Sequence, residues 1–376
     1  MSSLAVRLCD GLFAALVPPP CVRLGDGLRQ QLRADPLTVA DVGAVFGPDP
    51  RWLQLGPGTC RFLTFEPDKR SHEEAPAGPF ETLALATALG REKGEATLHL
   101  TAGEFASSLY PPNAAALERF CTWPWHAVVG QDVLAVDTLD NCLAANPGWQ
   151  PDFIKTDVEG ADLDVLLGGV GALVGAMGVQ AEAAFIERNV GTPQFAQIDG
   201  FLTGHGFTLF QLLREHWVRS NGLLGASSRP QVIWADVIYF RDWSLVRARA
   251  EALTDPAARE GLVLRYVAML LVHGHHDTAL DAVADARDAG LCGAELAGEL
   301  EQAICVSAQG PALLVLRCGL AMALAALLAA AAWPFGARMQ ARVRGLYRGG
   351  LARAANHVLR AASRGGLQNG IIADLP

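Results

Sequence analysis

Asp152-Phe153-Ile154-Lys155-Thr156-Asp157-Val158-Glu159-Gly160 decides the reading of this chain. Its short apolar run closes on acids and a glycine, the pattern of a buried strand that ends in a turn. Two earlier stretches end alike. Thr38-Val39-Ala40-Asp41-Val42-Gly43-Ala44-Val45-Phe46-Gly47 carries Asp41, and Phe62-Leu63-Thr64-Phe65-Glu66-Pro67 carries Glu66. Ligands of open α/β sheets sit outside the carboxyl ends of the strands. Asp41, Glu66 and Asp157 are therefore candidate ligand contacts.

Working outward, strand and helix signals alternate from about Pro36 to Trp243, as in a βαβ sheet. Strands are expected at 38–43, 62–66, 82–88, 153–157, 179–185, 207–212 and 232–240. Two more extended runs, 96–101 and 127–138, read as an inserted hairpin. Leu163, Leu166, Leu167, Val170 and Leu173 recur at a helical period, which predicts one helix over 162–174; another is expected over 195–205, ended by Gly206. From Asp255 to Ala308 the pattern is helical: Pro256 starts a helix, Gly274 stops it, and Asp277 or Thr278 caps the next, giving an antiparallel hairpin. Four regions follow: a helical lead at 1–35, the α/β domain at 36–243, a helical hairpin region at 244–310, and a tail at 311–376.

Composition narrows the function. The chain of 376 residues holds 30 basic and 39 acidic side chains, a balance that argues against a general nucleic-acid binder. Its eight cysteines are scattered without a C-x-x-C pair, which fits free thiols in a reducing compartment. The apolar Leu4–Val17 stretch is interrupted by Asp10 and lacks a small-residue cleavage site, so it reads as a short helix stopped by Pro18-Pro19-Pro20. A cytoplasmic body is expected.

The chemistry follows from the strand ends. Gly43 and Gly47 permit a tight turn with close backbone approach to a ligand, and the small Ala44 keeps the crevice open. Such turns are common, and a plain turn is the equal alternative. Glu66, some 20 residues beyond, can accept hydrogen bonds from both ribose hydroxyls of an adenosine ligand. No G-K-[ST] is present to supply charge to phosphates. Asp49, between Pro48 and Pro50, would repel a pyrophosphate yet suit a cationic sulfonium, which points to S-adenosylmethionine.

At this point the chain resembles the FkbM-type methyltransferases. The residues that carry the likeness are Asp41-Val42-Gly43-Ala44, Phe65-Glu66-Pro67, Ala106-Ser107-Ser108-Leu109, Thr138-Leu139-Asp140 and Ile154-Lys155-Thr156-Asp157-Val158-Glu159-Gly160 with Val165-Leu166-Leu167-Gly168-Gly169. Gly204-His205-Gly206-Phe207 and Asp236-Val237-Ile238-Tyr239-Phe240-Arg241-Asp242 continue it, so that it covers roughly 36–243 in the family's order. The resemblance implies a class I methyltransferase fold, a Rossmann-like, seven-stranded and mostly parallel sheet, with S-adenosylmethionine held by Asp41, Gly43, Ala44, Gly47, Glu66 and Pro67. It also implies O-methylation of a hydroxyl on a sugar or glycan-linked small molecule. The family usually has asparagine where this chain has Val45, which removes a hydrogen-bonding group from the turn.

Methyl transfer from a sulfonium is an in-line displacement, and the attacking hydroxyl needs its proton taken by a base or its acidity raised by a metal. Asp157 and Glu159 alternate along a strand end, so one is expected to face the crevice and the other to pack away. Asp157 is the candidate nearest the acceptor and Glu159 its support. Glu182 and Asp236 are further candidates for the same rim, with capping of a helix N-terminus as the alternative for Glu159 or Glu182. Ser107 and Ser108 line the substrate mouth or form a surface turn. Lys155 shares a face with Asp157 and pairs with an acid. His273, His275, His276 and Asp277 look like a metal cluster, but they fall at a helix turn outside the crevice and two are adjacent, which favours a structural role. No metal ligand is assigned, and metal dependence stays open. His126 and His216 are the histidines able to approach the rim.

The tail stands apart. Residues 318–335 carry no charge and come close to the ~20 residues of a membrane span. Eight arginines after Pro311 face one acid, Asp374. A simple span would leave the sheet on the far side from a cytoplasmic cofactor. An interfacial or re-entrant helix followed by a basic amphipathic helix over 337–364 resolves this, with 311–364 meeting an anionic membrane surface. A buried helix packed on the hairpin or on a second subunit is the alternative. Two functions are thus carried forward: an O-methyltransferase at the inner face of a membrane, and a non-catalytic scaffold that keeps the fold.

Overall fold

The structure, a computed structural model, describes residues 22–44, 47–67, 80–220 and 230–308. Val45, the lead before Val22 and the whole tail fall outside these residues. Among the described residues ten strands are present: β1 Leu37–Val42, β2 Cys60–Phe65, β3 Glu81–Leu85, β4 Ala88–Leu89, β5 Gly94–Thr101, β6 Val128–Asp137, β7 Phe153–Thr156, β8 Gly178–Ala184, β9 Phe207–Trp217 and β10 Gln231–Arg241.

Seven of them form one sheet in the order β3-β2-β1-β7-β8-β10-β9. The first five are parallel to their neighbours, and β10 runs antiparallel to both β8 and β9. The chain moves outward from β1 through β2 to β3, then returns to place β7 on the other side of β1. That reversal opens a crevice at the carboxyl ends of β1 and β7, where open α/β sheets take ligands. This is the βαβ sheet expected from the alternation of elements, with the seven strands and mostly parallel order that the resemblance implied.

Burial on both faces explains why β1 is continuously apolar apart from Thr38 and Asp41. Alternate residues serve opposite cores. Val39, with Phe62, Phe153 and Phe240, packs against Leu264, Val267, Val283 and Leu300 of the C-terminal helices. Ala40 and Val42, with Leu63, Phe65 and Ile154, pack against Leu163, Leu166, Leu173 and Ile198. Asp152 ties the layers together: its carboxylate accepts Thr38 N–H at 3.0 Å and Arg265 Nε at 3.1 Å.

Three local expectations are corrected. The inserted element is a three-stranded sheet, β4-β6-β5, because the run expected over 82–88 divides between β3 in the main sheet and β4 beside β6. The helix expected over 162–174 is two helices, Asp162–Leu167 and Val170–Gly175. Gly168 and Gly169 break it at a close crossing, since a Cβ on Gly168 would lie 2.1 Å from the Gly90 carbonyl oxygen. Asp140 then caps the second helix from outside, accepting Gly171 N–H and Ala172 N–H at 2.8 Å each. Finally, the stretch from Asp255 to Ala308, expected as a hairpin, holds three helices, Pro256–Val272, His276–Asp288 and Ala294–Ser307. The second begins at His276 with His275 at its N-cap position, so Asp277 lies in its first turn and is not its cap. Among the described residues no helix is long and apolar enough to cross a membrane.

Candidate active site

Three turns meet at the crevice. Gly43 follows β1 with φ 84°, a conformation open to glycine, and donates its N–H to Phe65 O at 2.9 Å. A Cβ there would lie 2.0 Å from the Asp157 carbonyl oxygen, so the β1 turn and the β7 turn are in backbone contact. Glu66 and Pro67 leave β2 beside them, with Glu66 N–H bonded to Leu85 O.

The resulting cleft is open to solvent and has polar lining from Glu66, Thr87, Ser107, Ser108, Asp157 and Glu159. Val42, Phe65, Leu89, Leu98, Phe105 and Val158 supply apolar lining, and Gly43 and Pro67 complete the β1 and β2 end. Ser107 and Ser108 thus line the cleft and belong to a closed loop. Ser107 Oγ accepts Thr101 N–H at 3.2 Å, and Ser108 Oγ donates to Glu159 O at 2.7 Å.

The two acids after β7 are not on opposite faces. β7 ends at Thr156, and Glu159 takes φ 52°, which turns its side chain back into the site. Strand alternation therefore fails as a guide there. Asp157, Glu159 and Glu182 offer carboxylate oxygens that all lie within 4.8 Å of one another. Arg188 answers two of these charges: its guanidinium stands 3.1 Å from Glu159 Oε2 and in closer contact with Glu182 Oε1, with the Trp217 and Trp234 rings 6.0 and 5.7 Å away. Glu182 is accordingly no helix cap. Burial pushes the Glu159 carboxyl up to about 7, aided by Asp157 and Asp162 and opposed by Arg188. Burial also raises Asp162 to about 7, although this carboxylate accepts the N–H groups of Gly160 and Glu182 at 3.3 Å each.

Asp41 does not line the cleft. It shares its sheet face with Val39 and is 2 % exposed; its carboxylate accepts Lys155 Nζ at 3.0 Å. Burial raises its pKa against the pull of Lys155. Lys155 reaches Asp157 Oδ2 as well, at 3.6 Å. Burial works against its charge, but Asp41 and Asp157 hold its pKa above the ordinary lysine value. Asp236, opposite Glu182 on β10, joins the same polar layer, its carboxyl raised to about 6 by burial and Asp157 despite Lys155 and Arg51. Asp157 is the exposed member, with 40 % of its side chain open.

Other assignments shift. Ala44 and Gly47 stay off the cleft lining, although Gly47 has the positive φ, 73°, expected of the turn. Asp49 does not offer a free anion to a sulfonium: it accepts the backbone N–H of Arg51 and pairs with its guanidinium at 2.5 Å. His126 is buried 5.2 Å from the Trp217 ring, its pKa lowered to about 4 by burial and Arg188. His216 is an exposed residue of β9. Neither lines the cleft. His273 stacks on Phe153 at 5.1 Å, and His275 meets Phe210 at 4.9 Å, so these histidines serve ring packing. Arg188 is the residue that sequence reasoning missed. The signal for it was the lone arginine six residues after a buried acid, because two enclosed carboxylates require a cation.

Residues 41–209 match the family model described as the methyltransferase FkbM domain. A crystal structure of methyltransferase FkbM from Methylobacillus flagellatus KT is similar over 55 % of this chain and 44 % of that one, at 15 % identity and a TM-score of 0.32. The chain thus spans less than half the length of that neighbour. No curated protein matches.

Proposed function

We propose that this methyltransferase uses S-adenosylmethionine and methylates a hydroxyl of a small or glycan-linked acceptor. One observation carries the reading: a single cleft is lined by Gly43, Glu66 and Pro67 together with Ser107, Ser108, Asp157 and Glu159. The residues fit the cofactor. Glu66 is a carboxylate able to accept from paired ribose hydroxyls, and Gly43 leaves its turn without a side chain where the chain passes the cleft. Bound S-adenosylmethionine supplies an electrophilic methyl group.

The remaining work falls to the chain. Asp157 is the more open acid, and Lys155 and the turn after β7 steady it, so it takes the proton of the acceptor hydroxyl. Glu159 supports that end, held by Arg188 through its side chain and by Ser108 through its carbonyl. Glu182 acts through the shared Arg188, Asp236 through its charge near Asp157, and Asp41 chiefly through Lys155. A membrane-facing role for 311–364 is part of the same proposal, and flotation of the full chain on anionic liposomes tests it.

Calorimetric titration with S-adenosylhomocysteine tests the cofactor. Binding to the wild-type chain, weakened about tenfold or more by Glu66→Ala through loss of charge-assisted hydrogen bonds, is the expected outcome. No heat with the wild type would leave a non-catalytic scaffold as the better account.

A further inference from the structure

The cleft has an apolar lip that methyl transfer alone does not require. Phe105 lines the cleft and is nevertheless 46 % exposed, and Trp125, 55 % exposed, meets it edge to face with ring centroids 5.9 Å apart. Val128, next along the chain at the start of β6, is also exposed. Large apolar side chains gathered on a surface mark an interaction site more often than isolated ones do.

The lip is built. Gly103 donates to Trp125 O at 2.8 Å, and the Thr101 hydroxyl donates to Gly103 O at 2.6 Å. His99 and Ser108 exchange backbone hydrogen bonds at 2.8 and 3.3 Å, closing the loop that carries Phe105. A Cβ on Gly103 would lie 3.1 Å from the Phe105 ring and 3.2 Å from Trp125 Cβ, so any side chain there would make one of the rings give by a few tenths of an ångström. Phe105 and the polar Ser107 and Ser108 leave the same short loop into the same cleft. The charged residues described in the lining, Glu66, Asp157 and Glu159, are all acidic, which disfavours an anionic guest.

We propose that Phe105 and Trp125 form the acceptor subsite, taking the flat apolar face of an uncharged, hydroxylated ring compound whose hydroxyl points toward Asp157. The inference rests on the reading of the cleft as a methyl-transfer site, and it adds the residues that hold the acceptor's ring. Edge-to-face rings leave π-faces that pair with an aryl ring or with the C–H face of a saturated one.

Saturation-transfer NMR on the full chain with S-adenosylhomocysteine present provides the test, using phenyl β-D-glucoside, methyl β-D-glucoside and phenyl phosphate as probes. A signal from phenyl β-D-glucoside, at least fivefold weaker in both Phe105→Ala and Trp125→Ala, and none from phenyl phosphate, is expected. S-adenosylhomocysteine affinity should stay within twofold, which shows that each variant folds; Phe105→Leu and Trp125→Phe serve where it does not. Comparable signal from methyl β-D-glucoside, lost in the same variants, supports the subsite with the saturated ring as its source. Undiminished signal in the variants, no signal from the wild type, or equal signal from phenyl phosphate overturns it. So does a dimer in sedimentation that Trp125→Ala dissociates while the probe signal persists. Failure of the wild type to bind S-adenosylhomocysteine would instead sink the underlying reading.

Discussion

Arg188 stands 3.1 Å from Glu159 Oε2 while also contacting Glu182, and so joins the turn after β7 to the strand beside it. Its side chain is 4 % exposed, and those of Glu159 and Glu182 are 12 % and 4 % exposed. Water contributes little to screening among them.

Removing Arg188 leaves two enclosed carboxylates without a counter-charge. Arg188→Met should cost roughly 3–5 kcal/mol, as for other broken buried pairs. Urea denaturation measures it, and a cost below 1 kcal/mol would show that the site relaxes into water.

The pH dependence of stability has a definite sign. Glu159 and Asp162 are raised from ordinary values of 4.5 and 3.8 to about 7 in the fold. Between those limits the folded chain holds protons that the unfolded chain has lost, so stability falls as pH rises from about 4 and the loss is complete above about 7. Urea midpoints at pH 5 and pH 8 should differ in that direction, and Glu159→Gln should reduce the difference.

Lys155 and Asp41 form a second enclosed pair, at 3.0 Å. Lys155→Met alone should destabilise the fold by about 3 kcal/mol or more, while adding Asp41→Asn should recover part of the loss. A double-mutant cycle reads the coupling; strict additivity would contradict the geometry.

Gly43→Ala places a methyl 2.0 Å from the Asp157 carbonyl at a positive φ. The strained backbone alone costs of order 1–3 kcal/mol, and relief of the clash must separate the two turns. A lowered melting temperature together with weakened S-adenosylhomocysteine binding is expected, and wild-type values for both would show that the turns are not coupled.

Asp157→Asn should lower kcat by about 10²- to 10⁴-fold, the usual range for loss of a general base, with cofactor affinity nearly unchanged. Glu66→Ala should do the reverse. Kinetics with labelled cofactor and fractionated acceptors separate the two, and a loss of cofactor affinity in Asp157→Asn would move that residue to the cofactor end.

Much of this arrangement was legible in the residues. Apolar runs ended by glycine and acids gave the strands, because burial on two faces leaves a continuous local pattern, and the Asp41-to-Glu66 spacing put two strand ends side by side. The local rules failed where backbone departs from regular geometry or where tertiary contact intervenes. Glu159 escaped strand alternation through its positive φ, and Gly168-Gly169 split a periodic helix at its crossing with Gly90.

By itself, then, the sequence determined the βαβ sheet, its order of elements and the strand ends at which chemistry gathers, since hydrophobic period and turn residues act over a few positions. Only the tertiary structure decided which acids face the cleft. Asp41 lies 114 residues from Lys155 along the chain, and that ion pair takes it out of the lining. Arg188 meets Glu159 because β7 and β8 are adjacent strands. Charge compensation in a buried layer depends on which side chains packing brings together, and no local period encodes that.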